Sequence, residues 1–445
     1  LNGNNAASFM LFGYLSMALL LGVFIRSQLK FFQRYLIPGS VIAGFIMLII
    51  GPNFLNIVSI PTGDEVDFLV FNLLTAISIA IGLRGFDAEK DKGKEVLKLS
   101  AAITGLLSFQ LAAGMLFALI IVLLINPGLF RGFGSMLMLG QGFDAAIARF
   151  FGGFWEQEQG FTGGQSIAFA FSSLGFLMAY LLGLGYIIWA KKRGLITPIP
   201  DEESTSVQTG IMQPGEKKPA AGLLTTHNQS IETFTVHLAI IGLAMLLLYG
   251  LLRLLALVMI HNFSSGMVIV TETLFSFNYL FGLLMGLFFR WLLKRLKIDY
   301  LVNRGVLERI LVPLVISLVN TWETLSLSLI GAGLTLLAVV VLMNKVCGEK
   351  SIAKQVATYG FLTGNISSAV ALLRVLDPRL EDPFIRNLTY AAGLSFIAAL
   401  PLFLFMNIAV VGRIGHIAAS AGLAAIYGGC IFCAWYFLIF KRSPQ

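Results

Sequence analysis

Long apolar runs recur along the whole chain, separated by short polar stretches, and eleven of them can be read as membrane-spanning helices. A spanning helix needs about 20 mostly apolar residues. The runs fall at 8–25, 35–58, 67–83, 99–125 and 165–190, then at 232–260, 267–289, 306–318, 325–343, 388–411 and 414–440. The eighth is the shortest and carries Glu308 and Arg309 near its start, so it reads as a tilted or half-buried helix. The pattern predicts an all-α polytopic membrane protein. One extended stretch breaks it: residues 191–231, polar from Thr197 onward and frequent in Pro, Ser, Thr, Glu and Lys, are expected to form a flexible cytoplasmic linker.

Two shorter interruptions carry more information. LGQGFDAAIARF (139–150) and LTGNISSAVALLRV (362–375) each follow a long apolar run, and each reads leucine, a glycine and polar cluster, an alanine-rich helical stretch and one arginine. In hydrocarbon every backbone N–H and C=O needs a partner, so glycine-broken backbone survives only inside protein or beside an aqueous cavity. A matched pair of such segments points to the substrate site of a secondary transporter.

Composition agrees with the membrane class: 57% of residues are hydrophobic, 12% are charged, and the mean hydropathy is +0.85. The net charge of +8 does not signal nucleic acid, because Lys and Arg cluster in alternate loops. Arg26, Lys30 and Arg34, then Lys90 to Lys98, Lys191 to Arg193, Arg290 to Lys297, Lys345 to Lys354 and Lys441 all fall on one side. That side is inside, which places the N-terminus outside and the C-terminus inside. Residues 1–25 carry no charge and are expected to be a true first span rather than a cleavable signal. Opening on Leu1 is expected of a processed or trimmed terminus.

In this topology the first interruption enters the membrane from outside and the second from inside. The reading is two inverted five-helix repeats, 1–190 and 232–411, each with a re-entrant hairpin, near 132–150 and 355–375. A further helix, 412–445, lies outside the repeat.

In the first hairpin Gly140 and Gly142 let the backbone open while Gln141 and Asp144 offer oxygen atoms. In the second, Gly364 opens the chain and Thr363, Asn365, Ser367 and Ser368 supply hydroxyl and amide groups. The helical stretches that follow turn their N-terminal ends toward the cavity, where unsatisfied N–H groups favour an anion such as a carboxylate. Two readings of the arginines stand side by side. One or both of Arg149 and Arg374 bind an acidic substrate, or Arg149 lies near the outer surface beside Glu156 or Glu158 and Arg374 pairs with Asp377. Asp144 reads as a cation ligand or substrate contact. Ser172 and Ser173, inside the apolar fifth span, either bond across a helix contact or face a sodium ion. An enzyme is not indicated: the four histidines are scattered, and Cys430 and Cys433 sit in an apolar run as expected helix-packing residues.

Four motifs resemble the bacterial sodium:glutamate symporter family, to which citrate carriers are related: IPGSVIAG (37–44), GSMLMLGQGFDAA (134–146), FWEQEQG followed by AFAFSSLGFL, and GFLTGNISSAVALLRVLDP (360–378). The first hairpin departs from that family's Gly-Gly-His-Gly-Thr-Ala. Gln141 takes the histidine position, and Phe143 and Asp144 lie where Thr and Ala are expected. The resemblance implies a homodimeric elevator carrier in a bacterial inner membrane, moving glutamate or a related amino acid or dicarboxylate with sodium. It also implies that both hairpins and the Ser172–Ser173 pair form the site. An anion or carboxylate exchanger or channel without sodium coupling is the alternative. Small-residue stretches at 40–44 and 281–286 could serve a dimer interface or packing within one protomer.

Overall fold

The computed structural model describes residues 3–34, 39–51, 55–57, 72, 75, 76, 78–80, 82, 83, 93–143, 145–196, 233–263, 278–302, 322–346, 351–377 and 384–440. Among them the regular structure is all helical. The longer elements are α1 (Gly3–Gln28), α2 (Lys30–Arg34), α3 (Gly39–Ile50), α4 (Gly93–Leu124), α5 (Ala145–Gln159), α6 (Gly164–Lys192), α7 (Thr233–Phe263) and α8 (Asn278–Arg295). They continue with α9 (Trp322–Val346), α10 (Ile352–Thr363), α11 (Ile366–Arg374), α12 (Phe384–Ala398), α13 (Leu400–Val411) and α14 (Gly415–Phe440).

Five helices among the described residues are long and apolar enough to cross a membrane: α4, α6, α7, α9 and α14. The pair α12–α13 makes a sixth, bent by 48°. The chain is therefore a multi-pass membrane protein. The expected eighth span, 306–318, lies outside the described residues, as does most of 67–83. The expected tenth span is broken rather than continuous. Pro401 sits at the start of α13, where it has no N–H to donate and its ring would clash with the carbonyl four residues back in an unbroken helix.

Two compact units divide the chain, one made of residues 1–19, 58–88 and 211–314, the other of 20–57, 89–210 and 315–445. In the first, Ile79, Ala80 and Leu83 pack with Ile241 and Ala244 of α7 and Phe289 and Leu293 of α8. Gly286 lets α8 meet the Ile79 carbonyl, so part of the 281–286 stretch is used within one protomer. Only 22% of the apolar window of α7 is buried, and leucines such as Leu238, Leu246 and Leu254 face outward, as lipid contact requires.

The second unit is organised around α6, whose window is 72% buried, and α4. At 32 residues α4 is about 48 Å long, more than a ~30 Å hydrocarbon core. Its interhelical hydrogen bonds fall at three levels. In its first turn Glu95 accepts from Asn387 Nδ2 of α12 at 3.1 Å. Midway, Gln110 reaches α9 and α10. Just past its end Asn126 donates to Glu323 in the first turn of α9 at 3.3 Å, and nearby Arg131 donates to the Gly412 carbonyl. A further bond, Ser395 Oγ of α12 to the Ser100 carbonyl one to two turns beyond Glu95, gives Ser395 the interhelical role that short polar residues take inside membranes. The last helix, α14, packs along α4, with Gly428 against Ser108. Cys430 and Cys433, expected to pack, are instead exposed.

Candidate functional site

The first interruption is a π-helical turn, Leu137–Phe143, buried from Leu137 through Gly142. A π turn widens the helix by one residue and is common at functional sites. Here it brings Gln141 onto a buried face between two close contacts. A Cβ on Gly140 would lie 2.6 Å from Phe171 Cβ and 3.0 Å from the Ser172 nitrogen of α6. One on Gly142 would run into Gln110 Oε1 and lie 2.7 Å from Leu107 Cδ2 of α4. Neither glycine has a positive φ. Both glycines allow close approach of the widened turn to α6 and α4.

The second interruption is a clean break. Helix α10 starts at the N-cap Ser351, which accepts from Lys354 N–H, and ends at Thr363. Gly364 donates its N–H to the Gly360 carbonyl at 3.0 Å, and Asn365 Oδ1 accepts from Ser368 N–H at 3.2 Å, capping α11. The Thr363 hydroxyl donates to the Tyr359 carbonyl at 2.8 Å. Asn365 and Thr363 therefore build the break as well as stand beside it.

The two interruptions meet on α6. A Cβ on Gly175 would collide with the Thr363 carbonyl on one side and lie 2.9 Å from Gln141 Cγ on the other. Two glutamines bind this junction to its neighbours. Gln110 Nε2 donates to the Leu362 carbonyl at 2.8 Å and to Thr335 Oγ1 at 3.2 Å, and Gln141 Nε2 donates to the Ser328 carbonyl at 3.2 Å. Because α10 stops at Thr363, the Leu362 carbonyl has no helical donor, and Gln110 supplies one. Three buried oxygens in the same junction, Gln110 Oε1, Gln141 Oε1 and Ser328 Oγ, have no hydrogen-bond partner. Each such group costs about 1–3 kcal/mol if nothing satisfies it. Donors or a cation from outside the chain would satisfy them.

The structure brings together Gly140, Gln141, Gly142, Ser172, Thr363 and Gly364, with Asn365 and Ser368 in the break beside them. Ser172 Oγ bonds back to the Ala168 carbonyl at 3.2 Å, and Ser173 is buried on the same helix. Asp144 and the side chains of Ser367 and Arg374 lie outside the described residues. The Arg149 guanidinium lies over the Phe169 ring of α6 at 5.9 Å, and Glu156 accepts from Gly163 and Gln165 N–H at 3.2 and 3.0 Å, holding the start of α6. Sequence reasoning missed Gln110, Gly175, Ser328 and Thr335. A glutamine alone in the apolar middle of 99–125 was the available signal. Among the described residues no group of three His, Cys, Asp or Glu could hold a metal. An open cleft lined by Arg131, Arg413 and His416 lies elsewhere, at exposed residues, and shares no residue with the junction.

No curated protein and no solved structure matches the chain. The model of the sodium/glutamate symporter family matches residues 7–346, more than half of the chain, through the first interruption and to the end of α9. This family moves solutes rather than catalysing a reaction on them. The chain belongs to the sodium/glutamate symporter family.

Proposed function

We propose that the chain is a sodium-coupled symporter for glutamate or a closely related amino acid or dicarboxylate, and that the junction on Gly175 is where cargo and ion are held. The carrying observation is that both interruptions, far apart in sequence, abut this one glycine. Gly140, Gln141, Gly142, Asp144, Thr363, Gly364, Asn365, Ser367, Ser368 and Arg374 are the substrate-binding set, and Asp144, Ser172 and Ser173 are sodium ligands. The N-terminal N–H groups of α11 and the Arg374 guanidinium suit a carboxylate.

The three levels of hydrogen bonding along α4 support two inverted repeats of 1–190 and 232–411, joined by the linker 191–231 and followed by the extra helix 412–445. Glu95 and Asn387 belong to segments expected inside, Asn126, Glu323, Arg131 and Gly412 to segments expected outside, and the junction lies between. The division into two compact units, with both interruptions in one of them, is what an elevator would need. The protein works as a homodimer in a bacterial inner membrane, N-terminus outside and C-terminus inside.

The test is the sodium activation of glutamate uptake in Asp144→Asn and Gln141→Met. Asp144→Asn is expected to raise the half-activating sodium concentration more than it lowers stability, and Gln141→Met to raise the glutamate KM. Unchanged values in both would remove the first interruption from the site.

A further inference from the structure

Four polar side chains line the buried face of α4 between Ser100 and Gln110, and three of them are satisfied without leaving an atom unpaired toward the first interruption. Thr104 and Ser108 donate to carbonyls one turn back in their own helix, and Ser100 meets Ser395. Gln110, fully buried, instead reaches two other helices. Its orientation is fixed by chemistry: the Leu362 carbonyl can only accept, so Nε2 must face it and Oε1 must face the other way. That other way is the backbone of the first interruption at Gly142. Gln141 is fixed by the same logic, its Nε2 held by the Ser328 carbonyl and its Oε1 left without a donor. The last turn of α10, which Gln110 touches, carries the negative end of that helix's dipole. Acceptors without donors, beside a negative helix end and out of water, suit a small positive group.

Resting on the function proposed above, we propose that Gln110 Oε1 is a ligand in a buried site beside Gly142 for a small cationic group. Two sources share this chemistry: a sodium ion and the ammonium of an amino-acid substrate. Gln110 would then tie the two interruptions together through its amide, Nε2 on the second and Oε1 on whatever occupies the first.

The experiment uses the purified full chain in detergent and reads its thermal midpoint. One arm titrates sodium chloride against choline chloride; the other titrates L-glutamate against glutarate, which lacks the amine, in saturating sodium. Gln110→Met removes both amide atoms at similar volume, and Gly142→Ala keeps the glutamine but drives a methyl against Oε1, which must shift. Both variants are expected to weaken one response at least tenfold. Loss of the sodium response assigns the ion; loss of the glutamate-over-glutarate preference with sodium retained assigns the ammonium. Gly185→Ala, with nothing within 4 Å of its Cβ position, is expected to keep both. Wild-type responses in both arms for Gly142→Ala, and for Gln110→Met where it folds, overturn the proposal and leave an ordered water as the occupant. A wild-type chain that responds to neither sodium nor glutamate overturns the proposed function and this site with it.

Discussion

Gly175→Ala adds one methyl at the point where the two interruptions meet. On a helix this change normally stabilises by about 1 kcal/mol. Here the new Cβ collides with the Thr363 carbonyl, which is backbone and cannot rotate aside, and comes 2.9 Å from Gln141 Cγ. Overpacking of this kind costs about 1–3 kcal/mol. The net change in stability is therefore small, about 0–2 kcal/mol, but the strain is relieved by parting the two interruptions. If the same 1–3 kcal/mol is lost from the assembled site, the glutamate KM rises roughly 5- to 150-fold. Uptake into proteoliposomes across a glutamate series measures KM, and the thermal midpoint in detergent measures the fold. Gly185→Ala on the same helix is the control, because nothing lies within 4 Å of its Cβ position. It is expected to gain stability and transport normally. A Gly175→Ala protein with wild-type KM would refute the reasoning that the interruptions form one site on this glycine.

Three further substitutions test the supports. Asn365→Ala removes the cap of the nine-residue α11 and is expected to destabilise by about 0.5–2 kcal/mol, read as a lower thermal midpoint. Tyr186→Phe removes the donor to Gln355 Oε1 (2.6 Å) and leaves that amide short of a partner, about 1–3 kcal/mol by the same readout. Trp155→Phe strands Asn407 Oδ1, now 3.1 Å from the indole N–H of a fully buried ring, and is expected to cost about as much.

The apolar runs and the two glycine-polar clusters were legible because each is a local signal: a span must be apolar for its length, and a break in it must be polar. What was not legible lies across the chain. Gln110 meets Thr335 and Leu362, residues 225 and 252 positions away, and a single sequence carries no trace of that pairing. Gly175 sat unremarked inside SSLGFL, since a glycine used for close approach looks like any other until its neighbour is known. Pro401 was a local signal passed over in favour of the apolar count around it, and it breaks the tenth span. Arg149 was weighed between a substrate and a glutamate, while the aromatic face of Phe169 was a third partner that residue spacing did not suggest.

The most direct test of the account is uptake of L-glutamate by the wild-type chain in proteoliposomes, with D-glutamate, aspartate and citrate alongside, each with an inward sodium gradient and with sodium replaced by potassium. The account predicts glutamate accumulation that requires the sodium gradient. Accumulation that is indifferent to sodium, or no transport of any of these acids, would contradict it.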